Sequence, residues 1–234
     1  MPSAYVDTID HSNDFFIRLE RVCSQIRLYS YRSTDGTNKE TLCRYLWNIA
    51  LCESLYPSFQ ILEVSFRNAV HLEIQKVTNV SEWLISEPAF LYQDERRAIR
   101  DSKQSLQDRK GTVTEPFLVA EMGFGFWTSL LDSRYDRIWH RIIAHVFPNM
   151  PRTIRTRGNA SKPMNKVRKI RNAASHHHSI WHWHDLPDQH KEMHSLINWI
   201  CSSASIMAKS IDRFPGIHSG GPKQFDALVS SFWI

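Results

Sequence analysis

The sequence lacks the long apolar runs and the cysteine patterns of membrane-spanning, disulfide-rich and zinc-finger proteins. No stretch of about 18 consecutive apolar residues occurs, which argues against a membrane span. The four cysteines form no C-x-x-C pair, so we expect reduced thiols in a cytoplasmic protein. The N-terminal residues show no basic segment followed by an apolar one, so no signal peptide is expected.

Glycine and proline are also scarce, and the rest of the composition is that of a globular protein. The 234 residues include 8 glycines and 10 prolines, while 42% are hydrophobic and 23% are charged. These proportions exclude a collagen-like or an intrinsically disordered chain. A chain of this length can bury a substantial hydrophobic core.

Acidic residues are absent between Arg137 and His184. The same segment contains ten basic residues, namely Arg137, Arg141, Arg152, Arg155, Arg157, Lys162, Lys166, Arg168, Lys169 and Arg171. The rest of the chain contains all 24 acidic residues but only 19 of the 29 basic residues. A basic segment in an otherwise acidic chain predicts a surface that binds a polyanion such as RNA, and a solvated surface without a ligand is the alternative.

Apolar residues recur at intervals of three and four along most of the chain, which predicts an all-α protein. We expect Pro57 to kink or split one long helix and Pro163 to begin another. No strand pattern is evident, so we predict a helical bundle in a single domain over 1–234, with a core at about 12–211 and a tail at 212–234. Helices are expected at about 12–29, 40–77, 93–110, 132–147, 163–176 and 189–211.

The densest group of reactive side chains lies at 168–178, in the sequence R-K-I-R-N-A-A-S-H-H-H. A histidine can exchange a proton near neutral pH, and a guanidinium can hold a phosphate through two parallel hydrogen bonds. Arg171 and His176 therefore suit phosphodiester cleavage. On a regular helix the two side chains point about 140° apart, so they can act together only if Arg171 reaches far or the helix ends near His176.

The pattern R-N-x-x-x-H-H at 171–177, followed by I-W at 180–181, resembles the signature of the Abi-like (abortive infection) family. That family belongs to the all-helical HEPN superfamily, whose mark is an arginine followed by a histidine at this spacing. The segments N-I-A-L-C-E-S-L-Y-P at 48–57 and L-E-V-S-F-R-N-A-V-H at 62–71 are similar to its N-terminal motif. The motifs G-F-W at 125–127 and F-P at 147–148 together resemble its central portion. The resemblance therefore spans roughly 45–181, and its motifs follow one another in the same order as in the family.

The resemblance implies a metal-independent endoribonuclease of phage defence or toxin systems, often accompanied by a neutralising antitoxin. It implies that Arg and His of two protomers face each other across a basic cleft that binds RNA. His176 is then the general acid or base, Arg171 stabilises charge on the phosphate, and Asn172 orients the phosphate or His176. We expect a homodimer, because one Arg/His pair supplies one proton-transfer group whereas this cleavage uses a base and an acid. No cofactor and no metal are expected.

Further residues are candidates for RNA binding or for support of the catalytic pair, namely His177, Arg168, Lys169, Arg67, Asn68 and Glu63. His177 competes with His176 for the proton-transfer role, because adjacent histidines cannot be ranked from sequence. Glu63 and Arg67 lie four residues apart and can instead form an ion pair at the edge of the core. The alternative places Arg67, Asn68 or His71 at the rim of the cleft.

The chain departs from the family after the double histidine, where relatives commonly carry Glu-Pro and this chain has His178-Ser179. The change removes a carboxylate that could orient a histidine. A catalytically silent HEPN-like module that binds RNA or nucleotide, or that scaffolds a partner, is therefore the alternative function. Zinc binding by the histidines at 176–184, in a metal-dependent hydrolase, and simple packing between helices are further alternatives.

Overall fold

The computed structural model describes residues 11–233 and shows an all-α protein, which confirms the predicted fold class. Within this range there is no strand, and no helix is long and apolar enough to cross a membrane. The α-helices are α1 (His11–Cys23), α2 (Gln25–Tyr29), α3 (Asn38–Thr78), α4 (Trp83–Ser86), α5 (Gln93–Lys110), α6 (Glu115–Glu121), α7 (Phe124–Ser129), α8 (Asp136–Val146), α9 (Arg157–Ser175), α10 (Leu186–Ile200), α11 (Ser202–Ser210), α12 (Phe214–Gly220) and α13 (Asp226–Ser230).

The described part of the chain divides into two compact units. The first unit consists of the described parts of Met1–Ser54, Ala173–His184 and Arg213–Ile234. The second unit consists of Leu55–Asn172 and Asp185–Asp212. Each unit therefore draws on segments that are far apart in the sequence.

The core of the first unit includes the C-terminal segment, which the sequence analysis had treated as a tail outside the core. Val229 of α13 is fully buried in one cluster with Phe16 and Leu28. The ring of Phe232 stacks on that of Phe15, with 5.3 Å between the centroids. The tail thus packs back onto the first unit, and burial of these side chains stabilises that unit from its C-terminal end.

The helix expected at 12–29 is interrupted at Ser24, which separates α1 from α2. Ser24 has a φ of 64°, and its hydroxyl accepts a hydrogen bond from the backbone N–H of Arg27 at 3.3 Å. The interruption ends the regular spacing of apolar side chains. Val22 and Ile26, which the pattern placed on the buried face, are 80% and 87% exposed.

Helix α3 continues through Pro57 as one helix, so the predicted split does not occur. Proline removes one backbone hydrogen bond and costs a helix about 3 kcal/mol. The neighbouring side chains Leu55, Phe59 and Leu62 are buried, and burial of each is worth about 1.5–3 kcal/mol. The packing of the second unit therefore outweighs the local cost of the proline.

Two other helix boundaries also differ from the expected ones. Helix α9 begins at Arg157 rather than at Pro163, because the Thr156 hydroxyl caps it by accepting from the backbone N–H of Asn159 at 3.2 Å. The helix expected at 189–211 is divided into α10 and α11 at Cys201, whose backbone is extended. The helix predicted at 93–110 is confirmed with these same bounds as α5.

Candidate functional site

Arg171 lies on α9 in the second unit, where it contacts Glu63 of α3. Its Nη2 atom is 3.5 Å from Oε2 of Glu63, and its Nη1 atom is 3.5 Å from Oδ1 of Asn172. The side chains of Arg171 and Glu63 are 34% and 19% exposed. Both contacts are long for hydrogen bonds, so the guanidinium, which has five N–H donors, keeps donors available for an anion.

Arg67 and Asn68 line a cleft of about 470 Å³, also in the second unit, together with His71 and Glu115. Nε2 of His71 is 2.9 Å from Oε1 of Glu115, whose carboxylate also accepts two backbone N–H groups of α4 at 3.0 and 3.1 Å. The Nε atom of Arg67 is buried without a hydrogen-bond partner in the described chain. Glu63 thus pairs with Arg171 rather than with Arg67, and Arg67 lines a cleft to which neither Arg171 nor His176 contributes.

Arg168 and Lys169 are neighbours on α9 and therefore project in different directions. Arg168 lines a polar groove of about 230 Å³ with Arg134, whereas Lys169 is exposed. The candidate RNA-binding residues of this unit therefore lie in three separate places. Glu63 contacts Arg171, Arg67 and Asn68 line the cleft, and Arg168 lines the groove. The sequence analysis gave no indication of this distribution, because it depends on packing between distant helices.

Several of the ten bases in the acid-free segment hold the fold together. Arg155 donates to two backbone carbonyls of the preceding loop, and Arg157 pairs with Asp136. Nζ of Lys166 is 2.9 Å from Oε1 of Glu192. The exposed bases without such a contact are Arg137, Arg141, Arg152, Lys162 and Lys169. The charge available to a polyanion is therefore smaller than the sequence suggests.

The candidate proton-transfer groups His176 and His177 belong to the first unit and lie where α9 ends. Helix α9 stops at Ser175, and a helix end near His176 is one of the two arrangements expected to let Arg171 and His176 act together. The N–H of His178 donates to the Ala173 carbonyl at 2.8 Å, and the N–H of His177 donates to the carbonyl of residue 174 at 3.1 Å. With a φ of 59° at His177, this is a Schellman cap, in which glycine or asparagine usually occupies the position of His177.

Two side chains of the first unit anchor this turn and leave the three histidine side chains exposed. A guanidinium nitrogen of Arg27 donates to the backbone carbonyl of His177. Asn48, which is buried, accepts from the N–H groups of Ile180 and Trp181 at 2.7 and 3.2 Å. Its amide nitrogen is 3.4 Å from the His178 carbonyl.

The role of Asn48 was missed by the sequence analysis, although Asn48 begins the segment that resembles the family's N-terminal motif. More than 120 residues separate it from the turn that it binds. The only sequence signal is an amide side chain among apolar residues of a helix, which marks a buried polar group in need of partners.

Replacing Asn48 with alanine is expected to lower the free energy of unfolding by about 2–4 kcal/mol. The change leaves two backbone N–H groups near the core without their acceptor, and each such group costs about 1–3 kcal/mol. Urea denaturation followed by circular dichroism measures the change. Asn68→Ala, on an exposed position of the same helix, is the matched control and should change stability by less than about 0.5 kcal/mol. Equal effects of the two variants would contradict the anchoring role.

Two of the four cysteines, Cys43 and Cys52, are unsuited to act as nucleophiles. All four are free thiols. Burial raises the pKa of Cys43 to about 11 and, likewise, the pKa of Cys52 to about 11. Both thiols therefore stay protonated at neutral pH, whereas the thiolate is the reactive form.

Residues able to hold a metal ion converge outside the histidine tract at 176–184. Within the described chain, His190 and His194 of α10 and the nearby Asp212 bring one ligand atom each to within 4.8 Å of one another. The sequence analysis had considered zinc only for the tract at 176–184. Asp212 lies 18 residues beyond His194, so no short ligand motif marks the group.

Comparison with known proteins finds no match for this chain among protein-family models, curated proteins or solved structures. The resemblance to the Abi-like family therefore rests on the motifs at 48–71, 125–148 and 171–181. The all-α fold agrees with that resemblance at the level of fold class. The function that it implies stays a prediction.

Proposed function

We propose that this protein is a metal-independent endoribonuclease that acts in phage defence or as a toxin. The observation that carries the proposal is the R-N-x-x-x-H-H segment, whose helix ends at Ser175 and whose histidines follow on an exposed and anchored turn. Arg171 adds a partly exposed guanidinium with weak internal contacts. A proton-transfer group and a phosphate-binding group are the two side-chain types that RNA cleavage without metal needs.

In the proposed reaction the ribose 2′-oxygen attacks the adjacent phosphorus. One imidazole takes the proton of the 2′-hydroxyl, and a second gives a proton to the departing 5′-oxygen as the P–O5′ bond breaks. The products are a 2′,3′-cyclic phosphate and a 5′-hydroxyl end. Arg171 stabilises the charge that develops on the phosphate oxygens, and Asn172 orients the phosphate or His176.

The need for two imidazoles leads to a homodimer in which each protomer contributes His176. Light scattering at micromolar concentration is expected to give twice the chain mass of 27.4 kDa. The exposed bases of the second unit then supply the attraction for RNA, which should weaken steeply as salt increases. A monomer at concentrations that cleave RNA would contradict the shared site.

The test of the proposal is RNA cleavage by the purified protein in the presence of EDTA. Cyclic phosphate ends are expected, and cleavage should be lost in both Arg171→Ala and His176→Ala. Lys166→Ala, which removes a base of the same helix that is already paired with Glu192, is the matched control and should keep cleavage within about threefold. Circular dichroism in the same buffer shows whether each protein remains folded. Unchanged cleavage in either of the first two variants would refute the assignment.

One observation favours a silent RNA-binding module instead, namely His178-Ser179 in place of the family's Glu-Pro. In that case RNA binds with a steep salt dependence but is not cleaved. An antitoxin partner is expected only for the active enzyme. Expression of the chain alone should then arrest growth, and the His176→Ala variant should not.

A further inference from the structure

His190 and His194 lie four residues apart on α10, so their imidazoles project from one face of the helix. The Nε2 atoms of the two rings are 3.1 Å apart. Asp212, two residues after the end of α11, places Oδ2 at 3.1 Å from Nε2 of His190 and at 3.5 Å from Nε2 of His194. The three side chains are only 10%, 9% and 11% exposed.

We propose that His190, His194 and Asp212 bind a divalent transition metal ion, with zinc as the best match. Zinc in proteins takes histidine nitrogen and carboxylate oxygen at about 2.0–2.2 Å, in tetrahedral geometry. At those bond lengths and the tetrahedral angle, two ligand atoms lie about 3.3–3.6 Å apart. The three separations here, at 3.1, 3.1 and 3.5 Å, are within a few tenths of an ångström of that value.

The donor set also favours this class of ion over calcium or magnesium. Those two ions take six or more oxygen ligands, whereas two of the three groups here are imidazoles.

The fourth coordination position is assigned to the side of the metal site on which Ser58 of α3 lies. Its hydroxyl is buried and lies 3.3 Å from Nε2 of His194, so the hydroxyl or a water held by it can complete the tetrahedron. The burial of the ligands leaves little room for a substrate. The ion therefore has a structural role and ties α10 to the segment that follows α11, across the interruption at Cys201.

The metal site is separate from the proposed RNA cleavage and does not depend on it. Its ligands are distinct from Arg171 and His176, and its readout is metal binding rather than turnover. A failure of RNA cleavage leaves the metal site standing, and a failure of metal binding leaves the catalytic pair standing.

The test uses the full chain without an affinity tag, stripped of metal by a chelator and then titrated with Zn²⁺ or Co²⁺. We expect one ion per chain, a rise in the melting temperature, and the intense visible absorption of tetrahedral Co²⁺ without a thiolate charge-transfer band. Asp212→Asn, which keeps the side-chain shape, should weaken the affinity at least tenfold. The double variant His182→Gln/His184→Gln removes two exposed histidines and should bind as the original chain does.

Three results would overturn the proposal. The first is that the unmodified chain binds less than about one tenth of an equivalent of either ion at micromolar concentration. This result needs no variant, so it does not depend on whether a variant folds. The second is binding that survives in Asp212→Asn and disappears in the double variant, since this would assign the metal to the exposed histidines. Octahedral Co²⁺ absorption would likewise contradict the tetrahedral site.

Discussion

Replacing His176 with alanine is expected to reduce the rate constant of RNA cleavage about 10²–10⁴-fold, the contribution of one general acid or base. His177→Asn is expected to keep the rate within about threefold. Asparagine tolerates the left-handed backbone that His177 adopts at the helix cap, so the turn is kept while the imidazole is removed. The carbonyl that Arg27 binds is also unchanged.

Single-turnover cleavage of a short RNA at saturating protein measures both rate constants directly. The pH–rate profile adds a readout that a purely structural role would not change, because loss of the acid or base removes one limb of the profile. Thermal unfolding of each variant serves as the control for folding. A large loss in His177→Asn with full activity in His176→Ala would assign proton transfer to His177.

Replacing Glu95 with alanine is expected to lower the free energy of unfolding by about 3–5 kcal/mol, the usual cost of removing one partner from a buried ion pair. Glu95 is buried on α5 and accepts from Oγ of Ser129 at 2.8 Å, Nη2 of Arg134 at 2.5 Å and the Tyr135 hydroxyl at 2.5 Å. Alanine leaves the Tyr135 hydroxyl without its acceptor and removes the carboxylate nearest to Arg134. Burial and the hydrogen bond to Glu95 raise the pKa of Tyr135, so its phenol stays neutral and remains a donor.

Urea denaturation at neutral pH measures this loss as a shift of the midpoint with an unchanged slope. Asp101→Ala is the matched control, since Asp101 is an exposed acid on the same helix and lies 3.9 Å from Arg97. Its effect should stay within about 0.5 kcal/mol, as is usual for an exposed pair. Similar losses in both variants would mean that Glu95 acts only through helix α5 and not through its buried contacts.

The example of α5 shows what local sequence predicts well. Its charged residues recur without helix breakers between Gln93 and Lys110, and Gly111, with a φ of 68°, adopts the left-handed conformation that ends many helices. The buried position of Glu95 could not be read from the same residues. Its donors lie 34 to 40 residues further on, and only the packing of the second unit brings them to α5.

The prolines and Ser24 show where local rules fail. Pro57 predicts a kink or a split and Pro163 predicts a helix start. Neither the split nor the start occurs, because both prolines lie inside helices whose buried faces compensate for the lost hydrogen bond. Ser24 carries no strong breaking signal and yet interrupts a helix. Local propensities are worth less than about 1 kcal/mol per residue for most residue types, so the burial of several side chains outweighs them.

The sequence by itself determined the all-α class, because apolar spacing is a property of residues three and four apart. It also determined where Arg171 and His176 occur in the chain and where the basic segment ends. Only the tertiary structure decided which distant groups meet, namely Glu63 with Arg171, Asn48 with the histidine turn, and Asp212 with the two histidines of α10. The physical reason is that these contacts join residues 18 to 132 positions apart, where the choice of partner depends on how the buried faces of the helices pack.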